Sequence, residues 1–442
     1  MKKPLLFLLT LAMCLLLTGC FVKTADELYT LPKQTGDYYS LHTAISQIVT
    51  GEVQYASPIS GTYQQPVQMA DLTGDGVDEA IVFAKTTGQK PLKTYIFERH
   101  SDVYENICVI EGDGSAFARA DYAQIDGEGG MEIIICRQVS SEVPQSISVY
   151  SLKDGQPNEL MSANYTEYTI VDLDGDEKKD LFLLHMDAEA KSYAELYRCG
   201  DSTMEREPEA PLSAGVTAVK QLLSGNLSAD CRAVFVGGIL EDGSAVTDLY
   251  TFRDGTFSHI SSLADLGLQS PVVRGYNVFA ADVDSDGRVE LPDVVRLTPR
   301  DPAETEDLFS AIRWFNYDPA TGLQPKQTTY HNYASGWFLT MPEQLGVKFA
   351  VDRGHEVAGV KGLVFYTCSR NVIGDELFTI YAFTGNNRST LAESEDRFPL
   401  DTKGETAYAA SLGSAAQNYG ITRETLTEMF RSIRVDWNSG ET

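Results

Sequence analysis

The sequence predicts a mainly β protein: a β-propeller of about five four-stranded blades, followed by a C-terminal α+β domain. Three observations predict this fold class. An acidic nonapeptide recurs at a period of roughly 50 residues, each copy lies beside short apolar runs typical of strands, and the recurrence stops near residue 333 of 442. Units of this length stack on their neighbours, and we expect a closed ring because open edges favour aggregation. Six or seven blades remain alternatives.

Residues 1–19 are predicted to be a lipoprotein signal peptide. Lys2 and Lys3 precede an apolar stretch that ends in Leu17-Thr18-Gly19-Cys20. A basic start, an apolar core and a small residue before the cleavage point are typical of secretory signals. The Leu-Thr-Gly-Cys segment resembles a bacterial lipobox, which implies that Cys20 is lipidated and becomes the first residue of the mature chain. The alternative is an ordinary secretory peptide in which Cys20 is incidental.

The anchor predicts where the protein lies. Two acyl chains attach a protein stably to a bilayer without a spanning helix. We therefore expect an extracytoplasmic protein, lipid-anchored to the outer face of the bacterial cytoplasmic membrane, with residues 20–37 as a polar tether. Leu41, Ala44, Ile45 and Ile48 recur at helical spacing, so a short helix is expected before the first blade of the 38–333 region.

Three of the five acidic nonapeptides carry oxygen ligands throughout. The first reads Asp71-Leu-Thr-Gly-Asp75-Gly-Val-Asp78-Glu79, with side-chain oxygens at positions 1, 3, 5 and 9 and a backbone carbonyl at position 7. Calcium takes ~6 to 8 oxygen ligands, whereas zinc favours nitrogen or sulfur, and these loops contain neither His nor Cys. The predicted calcium ligands are Asp71, Thr73, Asp75, Val77, Glu79, Asp172, Asp174, Asp176, Lys178, Asp180, Asp282, Asp284, Asp286, Arg288 and Glu290.

The second and fourth copies depart from this pattern. The second has a neutral amide at its first position, which leaves metal binding open there; its ligands would be Gln124, Asp126, Glu128, Gly130 and Glu132. The fourth begins at Ser224 and has a cation, Arg232, where the closing carboxylate should be. No metal is expected in the fourth loop.

The unit of strand, acidic nonapeptide and strand resembles the FG-GAP or VCBS repeat of the integrin-α-type β-propeller. The resemblance covers about residues 60 to 333. It implies that calcium holds a blade-linking loop and that the loops of the blades offer a recognition surface. It implies no particular ligand, because this fold also hosts lectins, adhesins and enzymes.

Residues 334–442 lack the acidic repeat and are predicted to form a separate α+β domain. Apolar runs at 336–341, 347–351, 362–366 and 377–383 are typical of strands. Thr422 is a favourable N-cap for a closing helix, and the alanine-rich stretch 405–419 is interpreted as a second helix.

Charge and motifs restrict the function. The formal net charge of −28 repels nucleic acid, so no nucleic-acid partner is expected. The sequence contains no nucleophile elbow, no His-Glu-x-x-His motif and no phosphate loop, so no catalytic residues are assigned. These observations favour a calcium-stabilised scaffold that binds an extracellular polymer, a peptide or an envelope protein.

Two alternatives to the scaffold remain open. The first is a propeller enzyme at the cell surface that acts on polysaccharide as a lyase or hydrolase. The second is an assembly or sensor subunit of the envelope whose C-terminal domain contacts the partner. His331, Tyr333 and Trp337 are interpreted either as an aromatic sugar-binding platform or as packing where two domains join.

Overall fold

The structure is a computed structural model that describes residues 36–139, 145–153, 155–186, 191–200, 203–261, 273–274, 278–300, 309–319, 321–354 and 359–433. The expected signal peptide, Cys20 and the tether up to residue 35 lie outside the described residues. Helix α1 (Gly36–Ile48) begins the described chain. None of the described helices is long and apolar enough to span a bilayer.

Antiparallel β-sheets make up most of the fold. The first sheet contains β1 (Gln54–Tyr55), β2 (Val67–Ala70), β3 (Glu79–Lys85), β4 (Leu92–His100) and β5 (Val103–Gly112), with β1 and β2 both paired to β3. The second sheet has the order β6-β7-β8-β9 and contains β6 (Ala116–Ala123), β7 (Glu132–Gln138), β8 (Gln145–Lys153) and β9 (Gln156–Tyr165).

The third and fourth sheets repeat this arrangement. The third contains β10 (Glu167–Val171), β11 (Asp180–His185), β12 (Tyr193–Cys199), β13 (Met204–Arg206) and β14 (Ala210–Pro211), the last two both paired to β12. The fourth contains β15 (Val216–Ser228), β16 (Cys231–Leu240), β17 (Ala245–Arg253), β18 (Thr256–His259) and β19 (Val273–Arg274), the last two both paired to β17.

The fifth and sixth sheets contain the rest of the described chain. The fifth has the order β20-β21-β22-β23-β29 and contains β20 (Leu291–Arg296), β21 (Ser310–Asp318), β22 (Gly322–Asn332), β23 (Trp337–Met341) and β29 (Phe430–Ser432). The sixth has the order β24-β25-β26-β28-β27 and contains β24 (Phe349–Arg353), β25 (Val360–Ser369), β26 (Val372–Thr384), β27 (Phe398–Lys403) and β28 (Thr406–Leu412). Two short helices, α2 (Arg388–Ala392) and α3 (Arg423–Met429), accompany them.

The six sheets stack face to face in chain order. In the first four sheets, β3, β7, β11 and β16 each contain a continuous apolar run, and such a run is buried on both faces of its sheet. In β3, Ile81 and Phe83 pack against the second sheet, whereas Ala80 and Val82 pack against helix α1. Shared hydrophobic clusters likewise join the second sheet to the third, the third to the fourth, the fourth to the fifth and the fifth to the sixth.

A closed ring requires the first and last blades to pack on each other. Helix α1 covers the face of the first sheet that points away from the second, with Ile45 buried against it. Among the described residues, no hydrophobic cluster joins the first sheet to the fifth or sixth. The mainly β architecture is therefore confirmed, and the described residues do not show the closed ring that we expected.

The expected domain boundary at residue 333 falls inside one sheet. A turn at Tyr333–Ser335 connects β22 to β23, and these strands pair from Thr328↔Met341 to Asn332↔Trp337. One hydrophobic cluster contains residues from the fifth sheet, the sixth sheet and helix α3. The end of the acidic repeat thus does not coincide with the end of a sheet.

The alanine-rich stretch 405–419 is not the helix that we expected. Residues Thr406–Leu412 form strand β28, and Ala416–Tyr419 form a single 3-10 turn. Ala407 and Ala409 pack towards helix α2, while Tyr408 and Ala410 face the opposite side, so the burial has the period of a strand. Helix α3 begins after Thr422 as predicted, and the Thr422 hydroxyl accepts a hydrogen bond from the backbone N–H of Thr425.

Candidate metal centre

Four acidic loops occupy equivalent places in their sheets. Each is followed directly by a buried strand, and each ninth-position acid pairs with the residue just before the loop. These pairs are Ala70↔Glu79, Ala123↔Glu132, Val171↔Asp180 and Ala281↔Glu290. Because the sheets stack in register, the loops lie at one end of neighbouring sheets.

The ninth-position acid closes each loop on its own backbone. Its carboxylate accepts a hydrogen bond from the second-position N–H in all four loops. The donor–acceptor distances are 2.7 Å for Leu72 to Glu79, 2.5 Å for Ile125 to Glu132, 3.0 Å for Leu173 to Asp180 and 3.0 Å for Val283 to Glu290. The sequence had suggested only an ion-binding role for these acids; the structure adds this backbone role.

The first-position and fifth-position acids are also held by backbone donors. Asp71 accepts from Gly74 at 2.7 Å and from Gly76 at 2.9 Å. In the first, third and fifth loops, the fifth-position carboxylate accepts a hydrogen bond from the seventh-position backbone N–H. This contact orients the seventh residue, whose carbonyl was expected to bind metal. The donor–acceptor distances are 2.8 Å for Val77 to Asp75, 2.9 Å for Lys178 to Asp176 and 2.9 Å for Arg288 to Asp286. Carboxylate oxygens are therefore fixed in each of these loops.

Within the described residues, two loops gather three carboxylates that could hold a metal ion. The groups are Asp172, Asp174 and Asp176 in the third loop, and Asp282, Asp284 and Glu290 in the fifth; in each, one oxygen per residue lies within 4.8 Å of the others. The first and second loops do not form such a group. In the second loop, the Gln124 amide oxygen accepts from the Gly127 N–H at 3.2 Å.

Glu290 gives an independent indication of a ligand in the fifth loop. Its side chain is fully buried, and one oxygen accepts from Val283, while Oε1 has no hydrogen-bond partner among the described residues. A buried polar oxygen without a partner is costly, so a native structure normally satisfies it. A hard cation that takes oxygen ligands satisfies this atom, and the donor set fits calcium.

Basic side chains accompany both groups. Arg198 forms ion pairs with Asp174 and, at 3.9 Å, with Asp180. Lys326 lies 2.7 Å from Asp284 and 2.5 Å from Asp286. These contacts reduce the mutual repulsion of the carboxylates.

Burial changes the acidity of the closing residues. It raises the pKa of Glu132, Asp180 and Glu290 to about 7, and it raises the pKa of Glu79 as well. Desolvation disfavours the charged form of a carboxyl group. A bound divalent cation favours that same charged form, so these positions are suited to coupling metal binding with loss of a proton.

The fourth unit has a hairpin in place of the loop. Gly225 pairs with Ala233, so the segment between these partners is one residue shorter than in the other units and its closing position is an alanine; pairing continues to Ser228↔Cys231. The structure makes Asn226 the equivalent of the first position, because the Asn226 carbonyl accepts from the Val289 N–H at 3.0 Å. Comparison of the repeats in the sequence had placed the first position at Ser224.

Successive units are linked through these first-position carbonyls. The Met131 N–H donates to the Asp71 carbonyl at 2.9 Å, and the Lys179 N–H donates to the Gln124 carbonyl at 2.8 Å. Arg232 replaces the backbone donor in the fourth unit. Its guanidinium donates to the Asp172 carbonyl at 2.9 Å and forms an ion pair with the Asp172 carboxylate.

Gly130 is needed for close contact between the first two loops. A Cβ atom at this position would lie 2.2 Å from the Leu72 carbonyl oxygen, and this clash involves backbone. From the sequence, the Gly130 carbonyl was expected to be a ligand if the second loop binds metal. The structure gives it a packing role.

The suggested aromatic platform is divided between the interior and the surface. Trp337 is buried and packs 6.0 Å from Tyr330 and 5.3 Å from Phe430, measured between ring centroids. His331 stacks against Phe338 at 5.2 Å and against the more exposed Tyr333 at 5.3 Å. The three residues therefore do not present one flat surface.

No protein-family model and no curated protein sequence matches this chain. Among solved structures, the rhamnogalacturonan lyase YesW is similar with a TM-score of 0.31 and 14% identity, over 61% of this chain and 68% of that chain. A eukaryotic initiation factor is similar with a TM-score of 0.33 and 11% identity, over 64% of this chain and 60% of that chain. The exotype rhamnogalacturonan lyase YesX is similar with a TM-score of 0.30 and 12% identity, over 74% of this chain and 82% of that chain. Similarities this weak carry no argument about function.

Proposed function

We propose that this protein is a calcium-stabilised binding scaffold, anchored by a lipid on the extracytoplasmic side of a bacterial membrane. The observation that carries the proposal is the fifth loop. Three carboxylates converge there, and one of them has a buried oxygen without a partner in the described part of the chain. Calcium at this position stabilises the joint between neighbouring sheets.

The proposed architecture is a stack of five propeller-type blades followed by the sixth sheet. The repeat spacing and the loop-to-loop hydrogen bonds support blades of this kind. Helix α1 on the first sheet favours an open stack over a ring, because it occupies the face on which a last blade would pack. Such a stack offers long loop-lined surfaces for a polymer, a peptide or an envelope protein.

Metal analysis of the full chain tests the calcium part of the proposal. The protein is purified without chelator, and its bound metal is measured by mass spectrometry. Thermal unfolding is then followed in chelator, in calcium and in magnesium. We expect bound calcium and a melting temperature that rises more with calcium than with magnesium, since calcium accepts irregular oxygen geometry. A chain that contains no metal and melts identically in all three buffers contradicts the proposal.

Fatty-acid labelling tests the anchor. Cells that express the wild type or Cys20→Ala are grown with a clickable fatty acid, and membrane and soluble fractions are compared. We expect label and membrane association for the wild type and neither for Cys20→Ala. Equal labelling of both proteins would show that Cys20 is not the lipidation site.

A further inference from the structure

A cavity of about 1,090 Å³ lies directly beside the acidic loop of the fifth unit. On one side it is lined by Asp282, Asp284 and Ser285 of that loop, and on the other side by residues of strands β23 and β29 and of helix α3. Its volume is just above the usual range for small-molecule sites, ~300 to 1,000 Å³. Two of the three carboxylates that gather in the fifth loop therefore border a space that a ligand can enter.

The loop by itself supplies too few oxygens for calcium. One oxygen each from Asp282, Asp284 and Glu290, together with the predicted carbonyl ligand of Arg288, fills four positions. Calcium takes ~6 to 8 oxygen ligands, so at least about two positions stay open. Glu290 is fully buried, whereas Asp282 and Asp284 border the cavity, so the open positions lie on the side of the cavity.

Asp286, the remaining predicted ligand of this loop, does not complete the site. Its carboxylate accepts a hydrogen bond from the Arg288 N–H at 2.9 Å and lies 2.5 Å from the Lys326 ammonium group. Lys326 also lies 2.7 Å from Asp284, so it offsets negative charge without supplying an oxygen. The missing oxygens must come from water or from a ligand in the cavity.

The charge around the cavity favours a neutral ligand. The exposed carboxylates of Asp401 and Glu428 line it, together with the exposed cation Arg431. The Arg431 guanidinium donates to the Phe430 carbonyl at 3.0 Å, and Asp401 accepts from the Ser432 hydroxyl at 3.1 Å. A carboxylate has acceptor capacity for several hydrogen bonds, so both acids can accept more from ligand hydroxyls. A ligand carboxylate would instead meet like charges, which are unfavourable when juxtaposed.

Neutral polar side chains offer further hydrogen bonds. Gln327 of β22 and Thr340 of β23 line the cavity and are half-buried. Thr340 pairs with Thr329, which lies two residues beyond Gln327 on the same strand, so both polar groups lie on one face of the fifth sheet. An amide and a hydroxyl can each donate and accept. A ligand with several hydroxyl groups matches this set.

We propose that calcium held by the fifth loop binds a neutral sugar through two adjacent hydroxyl groups, and that Gln327 and Thr340 bind further hydroxyls of the same ligand. Two vicinal hydroxyls supply the two missing oxygens and bring no charge into an acidic cavity. The inference rests on the proposed function, because it requires calcium in the fifth loop, and it specifies the ligand class of the scaffold. The ion then belongs to the recognition surface and does more than join two sheets.

Titration calorimetry on the full chain tests the proposal. The probes are neutral tetramers of mannose and of galactose, the same tetramers with their hydroxyls methylated, and a galacturonate tetramer as the acidic alternative. Each probe is titrated once in calcium and once in chelator. A separate calcium titration gives the Kd for the ion, and a thermal melt in calcium accompanies each variant.

Two pairs of variants locate the sugar. Gln327→Leu with Thr340→Val removes two hydrogen-bonding groups from the cavity wall and leaves every predicted metal ligand in place; Gln324→Leu, an exposed residue of the same strand β22, is the matched control. Thr340→Ser keeps the hydroxyl and should bind as the wild type does. Asp284→Asn removes a carboxylate of the fifth loop, and Asp174→Asn removes its equivalent in the third loop.

We expect at least one neutral tetramer to bind in calcium and neither to bind in chelator. The double variant should bind that sugar at least about tenfold more weakly with an unchanged Kd for calcium, since two lost hydrogen bonds together suffice for such a factor. Asp284→Asn should abolish sugar binding, whereas Asp174→Asn and Gln324→Leu should retain it.

Several results would overturn the proposal. They are sugar binding that persists in chelator, equal binding of the methylated tetramers, tighter binding of galacturonate, an unaffected double variant, and loss of binding in Asp174→Asn but not in Asp284→Asn. A chain that binds calcium with the expected stabilisation but binds no neutral sugar overturns this inference alone and leaves the scaffold intact. A chain that takes up no calcium overturns the proposed function and this inference together.

Discussion

The acidic loops and the contact between the fifth and sixth sheets join neighbouring sheets by opposite means. In the loops, carboxylates are held by backbone N–H groups and converge on what we propose is a metal ion. Between the last two sheets, aromatic side chains form one apolar cluster, with Phe365 5.1 Å from Tyr330 and 4.6 Å from Phe378 between ring centroids. The stability of the acidic loops should therefore rise when calcium is added, whereas the stability of the aromatic contact should not change with calcium.

The largest effect is expected from Phe365→Ala. Phe365 is fully buried between the two sheets, and its truncation should lower the free energy of unfolding by about 3–5 kcal/mol. Denaturant titration with and without calcium should give the same loss. The exposed Val372→Ala is the control and should change the free energy by under about 0.5 kcal/mol. A loss that appears only in chelator would show that the apolar joint also depends on the ion.

Glu290→Gln should remove most of the calcium response of the fifth loop. Glutamine keeps an oxygen for the Val283 N–H but removes the charge that favours the ion. Calcium at a hundredfold excess over Kd stabilises a protein with a single site by about 2.7 kcal/mol. Thermal melts should show that Glu290→Gln loses most of this stabilisation. Glu79→Gln in the first loop is the matched control. It should keep the stabilisation by calcium, because among the described residues that loop gathers no three-carboxylate group. Equal losses in both variants would remove the distinction between the loops.

Low pH should reduce the stability of the protein, because His331, beside the aromatic contact, has to be protonated. Burial lowers the pKa of His331 to about 3, below its ordinary value of 6.5. Because the unfolded chain then binds the proton more tightly, stability is full above about pH 6.5 and falls as the pH drops, by about 2 kcal/mol at pH 5. His331→Gln should lose this share of the pH slope between pH 7 and pH 5, whereas the exposed His42→Gln should keep it. Identical slopes in the two variants would rule out a neutral, buried His331.

Arg232→Gln should have the smallest effect on stability. The Arg232 side chain is 43% exposed, so its ion pair with Asp172 should contribute about 1 kcal/mol or less in chelator. Since the arginine competes for a ligand of the third loop, calcium should bind more tightly to the variant. Arg206→Gln, which breaks the pair with Glu195, is the control and should leave calcium affinity unchanged. Weaker calcium binding in Arg232→Gln would show that the arginine supports the site.

Local features of this fold could be predicted from the sequence. Asp, Thr and Glu at fixed spacing define the loops, and the apolar runs beside them define the strands, because both signals lie within a few residues of chain. Thr422 likewise marks the start of helix α3 by its own capping hydrogen bond. These parts depend on neighbours along the chain.

Other features depend on contacts between distant segments. Strand β15 has a register shift between Asn226 and Ser228, so counting residues from Ser224 placed the fourth loop in the wrong register. The pairing of β23 with β29 joins Trp337 to Ser432, far away in the sequence, and no local pattern at Trp337 indicates it.

Helix α1 has a consequence for how copies of this chain meet. It covers one outward face of the stack, and helix α2 packs with Ala392 against the outward face of the sixth sheet. Repeat arrays with bare terminal faces continue from one molecule into the next and grow into filaments. Because helices pack on both terminal faces, we expect growth from one molecule into the next to be blocked and the chain to stay a discrete particle at high local density.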